Sequence, residues 1–218
     1  MNKSEFLISG IETGKLNAMV KNIMTQTGIT EPEEAVRMMN SGELQISVIK
    51  PKWTEKDGVI RFSVTSDGAT GEEWIARLES KAFRVGDCAK SVLRSKSFKP
   101  TSGITYEIAV LKGDLFSDSN RITKTIHKEA KNRKLAKPNA EVACLIREKF
   151  TDKELEVMGL YWIVTMHEPI KDSGGDPELL RANRFGGGSW LRTDYADPGL
   201  RWNHDGGFAF VILQVFRS

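Results

Sequence analysis

The chain closes on FAFVILQVF, residues 208–216, nearly all apolar and with no alternation of polar partners. Such a run is far short of the roughly 20 apolar residues a membrane span needs, so it reads as a central strand. Residues 160–166, LYWIVTM, form a second strongly apolar run, short enough for a buried strand. A fold for this chain must therefore hold a sheet together with the layers that bury it.

The remaining signals mix helix and strand. Leu16, Met19, Val20, Ile23 and Met24 fall at helical spacing within residues 14–26. Thr30-Glu31-Pro32-Glu33 predicts a helix start with a Thr cap, running to about Asn40. Leu44, Ile46 and Val48 alternate as a strand, and so do Ile60, Phe62 and Val64. Thr70 with Glu73 predicts a capping box before a helix, broken at Phe83-Arg84-Val85-Gly86, and Asp87 can cap a shorter helix through Ser95.

Further along, residues 104–111 alternate as a strand and a long polar helix is predicted at about 119–135. A helix at about 140–150 follows Pro138, and Thr151 with Glu154 predicts another capping box. Residues 168 to 206 read as a Gly-, Pro- and Asp-rich loop, with a short strand near Trp190-Leu191. No βαβ regularity links these elements. The expected class is α+β: a mostly antiparallel mixed sheet with helices packed on it and a helical N-terminal segment. Residues 1–42 are expected to form a helical arm or lobe and 43–218 the main domain.

Composition narrows the function classes. With 39% hydrophobic and 28% charged residues among 218, the chain is neither collagen-like nor of low complexity. Cys88 and Cys144 are too few for a disulfide framework, and the N-terminus lacks the pattern of a secretory signal. A soluble protein of a reducing compartment, the cytoplasm, is expected. The sequence sets no oligomeric state.

Charge is the feature that bears on function. The formal total is +3, yet residues 77–137 hold 15 Lys+Arg and 6 Asp+Glu, a local net of +9. On the expected helix, Arg121, Lys124, Lys128 and Lys131 recur every three or four residues, with Lys134 beyond them. Arg94, Lys96 and Lys99 add to the cluster. Such a surface would neutralise phosphates and give salt-sensitive, sequence-independent binding to nucleic acid or nucleoprotein. The same lysines would also serve merely to keep a helix solvated. Residues 72–95 have the outline of a helix-turn-helix, but the second helix is short and carries Lys90 and Arg94 without base-reading Gln or Asn side chains.

Two alternatives sit in the C-terminal quarter. His167, Glu168, His204 and Asp205 flank the two apolar runs and would meet at a metal-assisted hydrolase site if those strands pair so as to bring them together. Their spacing matches no metalloprotease signature. Trp162, Trp190, Tyr195 and Trp202, interspersed with Arg181, Arg184, Arg192 and Arg201, would instead form a protein-interaction surface. The leading expectation is a non-enzymatic binding module with no cofactor and no metal.

The segments VIRFSVTSDGATGEEWIARLESKAFRVGDCAKSVLRS, KPNAEVACLIREKFTDKELEVMGLYWIVTMHEPIKDS and GFAFVILQV resemble a family of uncharacterised bacterial proteins without assigned activity, over about residues 45–218. The resemblance implies a bacterial, cytoplasmic protein and assigns no residue a role.

Overall fold

Capping and turn chemistry set where the helices begin. The structure, a computed structural model, describes residues 13–43, 52–186 and 188–213. The chain divides into two compact units, Met1–Lys50 and Pro51–Ser218. In the first, α1 (Thr13–Thr27) and α2 (Pro32–Ser41) form a helical pair. The cap of α2 is Glu31 rather than the expected Thr30. Pro32 occupies the first helical turn, and its ring forces the preceding residue into an extended conformation, so the boundary falls at Glu31. Gly42 ends α2 at φ 78°, where a Cβ would be strained. The strand expected at Leu44, Ile46 and Val48 lies outside the described residues.

The second unit runs β1 (Thr54–Lys56), β2 (Val59–Asp67), α3 (Gly71–Ser80), β3 (Arg84–Val85), α4 (Asp87–Arg94) and β4 (Ser102–Lys112). After a 3₁₀ turn at Gly113–Leu115 come α5 (Thr123–Asn132), β5 (Leu135–Ala136), α6 (Val142–Lys149), α7 (Asp152–Val157) and β6 (Trp162–Thr165). The chain continues through β7 (Ile170–Lys171), β8 (Pro177–Phe185), β9 (Gly188–Tyr195) and β10 (Gly206–Ile212). The strands form one sheet in the order β1-β2-β4-β10-β6-β8-β9-β3, with β5 beside β10 and β7 beside β8. β10 and β6 pair in parallel, as do β3 and β9; the other pairs are antiparallel. The fold is α+β, and β10, built from the closing apolar run, is a central strand.

Side chains alternate across the sheet and build two cores. On the first face Ile60, Phe62, Ile108, Val110, Ile163, Leu180 and Ala209 pack beneath α3, α4, α6 and α7. On the second, Ala109, Leu111, Val164, Phe208 and Phe210 pack beneath α5. Both expected capping boxes are present: Thr70 with Glu73 at α3, and Thr151 with Glu154 at α7. Gly71 lets α3 meet α4, since a Cβ there would lie 1.9 Å from the Leu93 carbonyl oxygen.

Two stretches depart from expectation. The polar helix is shorter than 119–135. Ser117-Asp118-Ser119-Asn120 forms a turn in which Asn120 and Arg121 both donate to the Ser117 carbonyl, and Ile122 bridges to Arg201. Ser, Asp and Asn compete with helix by such local bonds. At the other end Lys134 turns the chain at φ 57°, so Leu135–Ala136 join β10 as a strand. The second departure is the expected loop, much of which is the hairpin β8–β9. Its register pairs Phe185 with Gly188, leaving a two-residue Gly-Gly connection.

Candidate nucleic-acid interface

The second face of the sheet carries α5 and with it a cluster of positive charge that is unpaired among the described residues. α5 buries Thr123, Ile126 and Ala130, while Lys124, Lys128 and Lys131 are exposed. At 100° per residue those three lysines project opposite the packed side of the helix. Lys134 follows, also exposed. Among the described residues none of these four forms an ion pair. Arg133 on the helix flank pairs with Glu129 at 2.7 Å. A depression of about 390 Å³ beside the stripe is lined by Lys128, Arg133, Asn120 and Asn132. His127 lies half-buried with its ring 5.7 Å from that of Phe210, and burial lowers its pKa, helped by Lys137.

Arg121 has a different place from the one its spacing predicts. It precedes the helix, is 6% exposed, and donates to the Gly113 carbonyl at 2.7 Å, the Phe116 carbonyl at 2.8 Å and the Asp118 carboxylate at 3.0 Å. Its charge serves to satisfy carbonyls of the 113–122 segment and is closed to a ligand.

Arg94, Lys96 and Lys99 belong to the opposite side. α4 packs on the first face, and Phe98 pins the following segment into the same core. The Arg94 guanidinium engages Glu72 of α3 at 2.6 Å, and Lys90 engages Glu79 at 2.7 Å. Both basic side chains of the second helix of the helix-turn-helix outline thus reach back to α3. Lys96 and Lys99 are exposed, but the sheet stands between them and α5. The basic middle is therefore two surfaces rather than one. Eight of its fifteen cations are in ion pairs among the described residues, which leaves the α5 stripe as its largest free cluster.

The histidines do not converge. β6 and β10 pair, but in parallel with Trp162 beside Gly206, so His167 follows the far end of one strand while His204 precedes the near end of the other. All four paired rungs, 162/206 to 165/209, lie between the two levels, a span of at least roughly 10 Å. His167 is buried, and both ring nitrogens are engaged: Nε2 accepts the Leu180 backbone N–H at 2.9 Å, so Nδ1 carries the proton and donates to the Glu168 carbonyl at 2.6 Å. Burial depresses its pKa to about 4. Glu168 pairs with Lys137, His204 is exposed, and the Asp205 carbonyl accepts the Tyr161 N–H. Among the described residues no group of three or more His, Cys, Asp or Glu side chains is placed to hold a metal ion.

The aromatic residues of the C-terminal quarter divide by burial. Trp162 and Trp202 are buried with ring centroids 5.3 Å apart, both against Phe208, and Trp202 Nε1 donates to Thr123 Oγ1. They pack the 196–205 segment against the sheet. Trp190 is half-buried and Tyr195 exposed. Arg181 pairs with Asp194 at 2.9 Å, and burial raises the Asp194 carboxyl to about 6. Arg184 donates to the Leu160 carbonyl, and Arg201 to the Asp118 carbonyl. Arg192 stacks on both Trp190 and Phe185, and Arg84 faces Trp190. Phe185 and Arg84 carry no sequence motif; the Gly-Gly connection of the hairpin was the available signal for the side on which they fall.

No protein-family model, curated protein or solved structure matches this chain. Among the described residues no helix is long and apolar enough to cross a membrane.

Proposed function

We propose that this protein is a non-enzymatic module that associates with nucleic acid, holding the phosphate backbone along the outer side of α5. The observation that supports the reading is the stripe of Lys124, Lys128, Lys131 and Lys134, exposed and without ion-pair partners among the described residues. Three lysines on one helix, with Lys134 in the turn that follows it, present a row of point charges, which suits a polyanion and asks nothing of base identity. In the adjoining depression Arg133 and Asn132 are engaged by Glu129 and Asn120 by Ser117, so the lysines themselves supply the phosphate contacts. Arg94, Lys96, Lys99 and Arg121 have no part in this interface, for the reasons of position and pairing given above. A reducing cytoplasm is the setting we infer, supported by two free cysteines, one of them exposed on α4.

The test is a salt titration of affinity for a single-stranded oligonucleotide, with the wild type and a variant carrying Lys→Ala at 124, 128, 131 and 134. Each phosphate contact contributes roughly 0.7 to the slope of log affinity against log salt for single strands, so the variant should lose about 3 from that slope. An unchanged slope, or no binding by the wild type at low salt, would contradict the reading.

A further inference from the structure

On the side of the sheet that carries α5, β8 and β9 present a ladder of alternating aromatic and guanidinium groups. Register places Asn183 opposite Trp190, Phe185 opposite Gly188 and Arg84 beside Trp190, so these side chains share the second face. The Arg192 guanidinium carbon lies 4.1 Å from the Trp190 ring centroid and 4.8 Å from that of Phe185; Arg84 lies 5.3 Å from Trp190 on β3. The indole is fixed by its own bond, Nε1–H to the Phe185 carbonyl at 3.2 Å. Gly188 opens the space for this arrangement: a Cβ there would lie 3.2 Å from the indole nitrogen and 3.3 Å from Arg84 Nε.

Two properties of the ladder are not explained by packing. Phe185 is 51% exposed beside the hairpin connection. Arg84 and Arg192 form no side-chain hydrogen bond or ion pair among the described residues, whereas the neighbouring Arg181, Arg184 and Arg201 each have a partner. A guanidinium stacked on a ring keeps its in-plane N–H donors free, pre-oriented for phosphate oxygens or base edges. The exposed ring and the guanidinium planes are surfaces on which an unpaired base can stack.

We infer that the nucleic acid bound by this protein is single-stranded, and that Phe185, Arg192, Trp190 and Arg84 form the platform on which its bases stack. The inference rests on the nucleic-acid reading above and specifies its substrate. Lysines on α5 alone would serve a duplex equally well, because they reach only the backbone. A duplex keeps its bases stacked on one another, so an exposed aromatic–guanidinium ladder gains nothing from it. A strand with free bases satisfies both features: phosphates on the cationic side chains and bases on the rings. RNA and DNA single strands share this chemistry.

The experiment compares affinities, at one low salt concentration, for oligothymidylate and oligouridylate of about 20 nucleotides, a duplex, and an abasic strand of equal charge. Polyglutamate serves as a non-nucleic polyanion. Stacking of one base is worth roughly 5- to 150-fold in affinity. Wild type should therefore bind the base-bearing strands at least about fivefold tighter than the abasic strand, the duplex or polyglutamate. Phe185→Ala should reduce that preference while leaving abasic-strand affinity unchanged, and Arg192→Lys should reduce the preference by removing a stacking plane. Either sugar supports the platform, and the tighter of the two identifies the natural strand. Equal affinity for base-bearing and abasic strands, or equal loss on both in Phe185→Ala, would overturn the platform and leave the α5 reading intact. Tightest binding to polyglutamate would overturn it in favour of an acidic protein partner. Failure of the wild type to bind any strand would overturn the underlying reading as well.

Discussion

Trp202 donates its backbone N–H to the Arg121 carbonyl at 2.9 Å, while the Arg121 guanidinium lies within 3.5 Å of the Trp202 carbonyl and bonds to two more. This reciprocal contact ties the 113–122 segment to the 196–205 segment on the second face of the sheet. The indole of Trp202 extends the tie to Thr123, the first residue of α5. The helix that carries the lysine stripe is thus seated by a cation that takes no part in the stripe.

Arg121→Ala would leave several buried carbonyls without donors. Hydrogen bonds to a charged group contribute about 1.5–3 kcal/mol, so the variant should lose about 3 kcal/mol of stability in chemical denaturation. Weakened nucleic-acid binding with wild-type stability would instead mark Arg121 as a phosphate ligand.

His167 should give the second unit a distinct pH dependence. Its pKa is about 4 in the fold and near 6.5 when unfolded, because burial disfavours the charged ring. Between those values the unfolded chain binds a proton that the folded chain does not, so stability falls as pH falls through this window. Asp194, raised to about 6, acts with the opposite sign: the folded state protonates first, and its contribution grows as pH falls. His167→Gln isolates the histidine. Between about pH 4.5 and 6, wild type should lose roughly 1 kcal/mol per pH unit more than the variant. Parallel stability curves would show that the ring stays charged in the fold.

The sequence made some of this visible and hid the rest for physical reasons. Capping boxes at Thr70 and Thr151 are local, and each appears where its side-chain spacing puts it. The apolar runs at 160–166 and 208–216 are long enough to identify β6 and β10. The hairpin β8–β9 is hidden because its second-face positions Arg181, Asn183, Arg192 and Asp194 are polar and its first face also holds Arg184 and Thr193, so few apolar residues mark the alternation. They can do so because, among the described residues of the second unit, α5 is the only α-helix on that face and it packs over the centre of the sheet rather than over β9. The lysine spacing of α5 is readable, but Arg121 shares it only if helix begins at 119; the helix begins at Thr123. Which side of the sheet each basic segment takes depends on strand order, and no local pattern encodes that.

Gly71 tests the packing of α3 on α4. Its Cβ would meet the Leu93 carbonyl, a backbone atom that cannot turn aside. Gly71→Ala should cost about 3 kcal/mol through overpacking, despite alanine's better helix propensity. A thermal midpoint equal to that of the wild type would contradict this packing.

Lysine reactivity, measured by acetylation footprinting with and without a bound single strand, tests the central claim most directly. Lys96 and Lys99 lie on the opposite side of the sheet and serve as internal controls. Binding along α5 predicts protection of Lys124, Lys128, Lys131 and Lys134 with Lys96 and Lys99 unaffected. Protection of Lys96 and Lys99 with the α5 lysines still reactive would contradict it.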